Sequence, residues 1–179
     1  MKSGVTVRKN EVFDISKAMR ALTQRSVLVG IPVDAVRSDD DGPITNAQLG
    51  YIHENGSPDN NLPARPFLMP GIRAVHPQIV DQLRGAGKAA LKGNTAGVLK
   101  ALERAGIIAQ NSVRAQFVDN DWQALSETTL NRRPVTARDD DGKPVKYGKS
   151  RQERGAMNPL IDKGELRKSI TYVVERKGR

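Results

Sequence analysis

Between Asn94 and Val118 the apolar residues fall where only a helix can use them. Val98, Leu102, Ala105, Ala109, Val113 and Phe117 follow one another at intervals of three or four. That spacing puts all six on one stripe of a 3.6-residue period. Lys100, Arg104, Asn111 and Arg114 lie on another face. The stretch is therefore read as one amphipathic helix, the longest in the chain and the spine of its core. With 179 residues, 37% hydrophobic and only 4% aromatic, the chain is long enough for a single domain whose core is mostly aliphatic and not large.

The remaining elements are arranged around that helix. A helix capped by Asp14 or Ser16 runs to about Gln24, with Ile15, Ala18, Met19 and Leu22 on one face. Ser26–Val33, SVLVGIPV, is short, apolar and β-branched, the clearest strand. Thr45 caps a helix carrying Ala47, Tyr51 and Ile52, and Asn55-Gly56 ends it. Helical spacing resumes after Pro70, where His76-Pro77 either kinks the helix or lies in a first turn. Gly85, Gly87 and Gly93 predict a division into two helices. Ser126 caps a short helix to Arg132, another starts near Asp162, and Ile170–Glu175, ITYVVE, is a final strand. The expected fold is α+β: a small antiparallel sheet packed on a long amphipathic helix, with extended loops or arms, in one domain over residues 1–179. Arg133–Met157 is read as a long exposed basic arm, because Gly, Pro and charge dominate it.

One loop stands apart. In Tyr51–Ile72, YIHENGSPDNNLPARPFLMPGI, Pro63 and Pro66 fix an extended path. Phe67, Leu68 and Met69 hang on that path, with Arg65 held between the prolines. Such a loop either docks on another surface or plugs the protein's own core with Phe67 and Leu68.

This stretch, with WQALSETTLNRR at Trp122–Arg133 and PLIDKGELRKSI at Pro159–Ile170, resembles the tail-completion (neck) proteins of tailed bacteriophages, also described as virion morphogenesis or minor tail proteins. The resemblance runs from about Val27 to Val174, with its three motifs in the expected order. It implies a structural virion protein at the head–tail junction that assembles as a homo-oligomeric ring, expected to be six-fold, and contacts neighbouring neck and tail proteins. Arg65, Phe67, Leu68, Trp122 and Leu130 are then interface residues. It also implies synthesis in the host cytoplasm and a final place in the virion. Two positions depart from the pattern: Lys163 stands before Gly164 where Thr is expected, and the basic arm before Pro159 is longer.

The chain contains no cysteine, which excludes disulfides and thiolate metal sites. The N-terminal residues lack the apolar core of a signal peptide, and no run approaches a bilayer span, so a soluble protein without membrane contact is expected. Gly85-Ala86-Gly87-Lys88 fails as a phosphate loop, since Gln82 and Ala89 stand where Gly and Ser or Thr are required. His53 and His76, the only histidines, lack metal-ligand spacing, and the two DDDG runs lack a calcium-loop pattern. No G-x-S-x-G elbow occurs. The expectation is a non-enzyme without metal or cofactor.

Charge supplies the alternative function. The net charge is +9, and Asn131–Arg179 carries 14 Lys and Arg against 7 Asp and Glu. Lys143, Lys146, Lys149, Arg151 and Arg154 could touch a phosphate backbone without reading sequence. This admits a sequence-independent nucleic-acid-binding module or, in a neck ring, non-specific contact with packaged DNA.

Overall fold

The computed structural model describes residues 11–34, 44–118, 122–132, 135–138, 144–146, 149–153, 155, 157–161 and 164–177. In chain order the elements are α1 (Glu11–Thr23), β1 (Arg25–Gly30), α2 (Asn46–Asn55), α3 (Leu68–Ala74), α4 (His76–Leu91), α5 (Thr95–Ala115), α6 (Glu127–Asn131), β2 (Val135–Arg138), β3 (Pro144–Lys146), α7 (Glu165–Ser169) and β4 (Thr171–Arg176). The fold is mixed, with a two-stranded antiparallel sheet packed against helices. The chain divides into two compact units. One comprises Met1–Gly30, Met69–Val113 and Thr171–Arg179, and the other Ile31–Leu68 and Arg114–Ile170.

The first unit is built from small side chains. Ala18 and Ala21 of α1, Ala86 and Ala90 of α4, and Val98, Ala101 and Leu102 of α5 form its buried cluster. Val27 and Val174 pack on this cluster and are cross-strand partners in the β1–β4 ladder. Leu28 and Val173, the next pair, lie on the exposed face. Side chains alternate across a strand, so one face of the ribbon is apolar and inward while the other meets solvent. Gly106 of α5 lies beneath the ring of Tyr172; a Cβ there would stand 2.3 Å from Tyr172 Cδ2. The small residue lets the sheet approach the long helix. The strand ends at Gly30, earlier than the sequence suggests, and Pro32 just beyond has no N–H for a ladder.

Where α3 and α4 meet, the helix divides at Val75, and Pro77 occupies the first turn of α4 with its missing N–H at no cost. Gly85 and Gly87 stay inside α4. The division before α5 comes at Gly93, the last of the three glycines named, with φ +70°, followed by Asn94, whose Oδ1 accepts from Gly97 N at 2.8 Å. The helix α1 begins at Glu11 and turns Ala21 inward, while Met19 is exposed.

In the second unit α2 opens with a full capping box. Gln48 N donates to Thr45 Oγ1 at 3.2 Å, and Thr45 N donates to Gln48 Oε1 at 2.9 Å. Its inward residues are Asn46 and Gly50, and Tyr51 is 71% exposed, so the expected apolar face of Ala47, Tyr51 and Ile52 is displaced. Gly50 is inward because it has no side chain: a Cβ there would stand 2.6 Å from Ile31 Cδ1, with Phe67 Cζ and Leu166 Cδ1 at 3.6 and 3.8 Å. The core here comprises Phe67, Phe117, Leu160, Leu166 and Ile170. Helix α7 packs against α2. Its N-cap is Gly164, at φ 78° and without a side-chain cap.

The described residues between 133 and 157 do not form a uniform arm. Val135–Arg138 and Pro144–Lys146 pair antiparallel with an irregular register. Short β-branched runs on either side of an Asp-Gly turn sequence are a hairpin signal, one that the charge and glycine content of the segment obscured. Beyond it, Ser150 is buried.

Candidate functional site

The Pro-Phe loop as far as Leu68 and the described residues of the other two motifs lie in the second unit. Helix α2 ends at Gly56, φ 77°, whose N–H donates to Ile52 O. The chain then turns back through Ser57–Leu62, and Arg65 N donates to His53 O at 2.7 Å. The carboxylate of Glu54 accepts from Phe67 N at 2.7 Å and Leu68 N at 2.8 Å, satisfying amides where α3 starts. Two rigid prolines and these bonds deliver Phe67 inward, 2% exposed. Its ring lies 4.7 Å from that of Phe117, and Trp122 meets Phe117 edge-on at 6.1 Å.

Two of the expected interface residues are thereby corrected. Phe67 fills the unit's own core. Arg65 is 7% exposed and points its Nη2 at Gln123 O, 3.5 Å away, so the stiff loop aims it inward rather than at a partner. Leu68, Trp122 and Leu130 are half-buried. Trp122 and Gln123 lie beside the Pro-Phe loop within this unit, through the Phe117 ring and the Arg65–Gln123 contact. The outward apolar residues of the loop region in this unit are Tyr51 and Leu62, which the sequence reading did not single out as contacts.

On the buried side Arg65 lies near both Arg151 and His53. Burial and the nearby Arg151 pull the pKa of Arg65 down. Burial first, then Arg65, lowers His53 to about 4, so this imidazole is neutral at physiological pH. The Nε of Arg65 and Nε1 of Trp122 have no hydrogen-bond partner.

Of the expected DNA-facing cations, Lys149 is exposed. Arg151 is not a free arm residue: its Nη2 donates to Asn158 O at 2.8 Å and Ile161 O at 3.1 Å, fastening the loop before α7. Lys143 and Arg154 lie outside the described residues, and Lys146 is described only as part of β3. A different basic site emerges. Arg114, Arg167 and Lys168 line a cleft of about 380 Å³ with Ile161 and Gly164. Arg114 Nη2 donates to Lys168 O and Ile170 O, and Arg167 Nε donates to Arg114 O, so the cleft is cross-braced. Its residues are about fifty positions apart, and no local pattern announces it.

Among the described residues no group of three or more His, Cys, Asp or Glu could hold a metal ion, and no helix is long and apolar enough to cross a membrane. No protein-family model, curated protein or solved structure matches this chain.

Proposed function

We propose that this chain is a structural virion protein of a tailed phage, a ring-forming neck or tail-completion component at the head–tail junction. The observation that supports the reading is the convergence of its three motif segments in one unit. The Pro-Phe loop, the Trp122 segment and the Pro159–Ile170 segment are joined through the Phe67–Phe117–Trp122 rings, the contact from Arg65 to Gln123, and α2 on α7. Segments carrying a common role are expected to share a surface, and these share a scaffold. Phe67 and Arg65 shape it from beneath, and exposed residues such as Tyr51 and Leu62 are left to meet partners. Negative-stain electron microscopy of the purified protein tests the proposal. Rings are expected; compact monomers at every concentration would reject it.

The basic cleft favours a second reading, sequence-independent contact with nucleic acid. Its cations would bind phosphate oxygens and release counterions, giving weak affinity with a steep salt dependence. Arg167→Glu with Lys168→Glu should flatten that dependence on a duplex oligonucleotide, and an unchanged slope would remove the cleft from consideration.

A further inference from the structure

The first unit carries a groove of about 680 Å³ along α1 and the paired ends of β1 and β4. Val12 and Phe13 form its apolar side and are 72% and 70% exposed. Lys17, Arg20, Arg25 and Arg176 form its charged side, and among the described residues no carboxylate lines it. Arg25 and Arg176 are direct partners across the β1–β4 ladder. Like charges opposite one another weaken an antiparallel pair. Arg25 is steadied by one bond, from its Nη1 to Ala21 O at 3.1 Å. An exposed aromatic ring beside four cations, two of them opposed, suits a peptide segment that is both acidic and apolar.

The chain contains such a segment. Val33–Ile44, VDAVRSDDDGPI, carries Asp34, Asp39, Asp40 and Asp41 against Arg37 alone. Val33, Asp34 and Ile44, at its ends, are exposed. The second DDDG run is flanked by Arg138, Lys143 and Lys146, which offset its charge. We propose that the groove of one copy receives the Val33–Ile44 segment of a second copy, head to tail. This rests on the self-assembly reading above and names its contact. Opposite potentials steer the two copies together and fix their register, while Phe13 and Val12 meet the valines and Ile44. Because the two patches differ, the contact is heterologous. It closes a ring when the rotation per copy closes the circle and otherwise grows a filament.

Sedimentation velocity of the full chain over a concentration series tests the contact. Arg20→Glu with Arg176→Glu reverses the groove, and Asp34→Lys with Asp40→Lys reverses the segment. Each pair should weaken self-association by about tenfold or more. All four changes in one chain should restore it to within about threefold. Arg20→Gln with Arg176→Gln guards against misfolding: it should keep the wild-type circular dichroism and still weaken association. The contact is overturned if the Gln pair or either reversed pair associates like wild type, or if the four-site variant folds but stays dissociated. A wild-type protein that is monomeric throughout would reject the self-assembly reading together with this contact. A wild-type assembly indifferent to the charge changes would reject the contact alone.

Discussion

Replacing Phe67 by Ala separates a core residue from a docking residue. Phe67 is 2% exposed, and its ring lies 4.7 Å from that of Phe117. Truncating a buried Phe costs roughly 3–5 kcal/mol, with about 1 kcal/mol of that from the ring pair. We expect a loss of about 4 kcal/mol, borne by the second unit. The chain's single tryptophan, Trp122, belongs to that unit and touches Phe117, so its fluorescence reports there. With a urea slope of about 2 kcal/mol per M, the midpoint should fall by about 2 M. Far-UV circular dichroism is dominated by α1, α4 and α5, which lie almost wholly in the first unit, and it provides the comparison. A midpoint that stays in place while assembly disappears would refute the reasoning, because Phe67 would then act on a partner.

Two further outcomes follow from named contacts. His53 titrates at about 4 when folded, against 6.5 for an ordinary imidazole, so the unfolded chain takes up the proton first. Its contribution is complete above pH 6.5 and is lost as pH falls through about 4. After discounting for its half-exposed position, the loss is about 1–2 kcal/mol. Urea midpoints between pH 7 and 4 should show this, and His53→Gln should flatten the decline; identical pH profiles would remove His53 as the cause. Gly106→Ala places a Cβ 2.3 Å from Tyr172 Cδ2 and should destabilise by about 1–3 kcal/mol, read as a lower melting temperature. An unchanged melting temperature would mean that the sheet can lift from α5 without penalty.

Local signals carried much of the fold. Five residues of the stripe, Val98 to Val113, are buried on α5 as their spacing demands, and Phe117 is buried just past its end; Thr45 and Ser126 cap the helices whose starts they mark. These depend on neighbours in sequence. The inward face of α2 was not legible, because what buries Gly50 is the approach of Ile31, Phe67 and Leu166 from other elements of the chain. The burial of Arg65 was hidden for the same reason: Pro63 and Pro66 announce a stiff loop but not the direction in which it points. The β2–β3 hairpin was masked by charge composition, though its β-branched residues were in view. The clefts on either unit join residues separated by tens of positions and leave no local trace.

The pairing of β1 with β4 has a consequence during synthesis. Partner residues such as Val27 and Val174 are separated by most of the chain, and α4 and α5 are made in between. At a translation rate of about 5–20 residues per second, β1 waits on the order of ten seconds for the strand that completes its ladder. During that interval its backbone edge and Val27 have no native sheet to join, and each nascent chain on a polysome presents the same unpaired edge to its neighbours. The brevity of β1, with Pro32 just past its end and Arg25 at its start, limits what such an edge can recruit. The arrival of β4 therefore decides when β1 stops being a hazard.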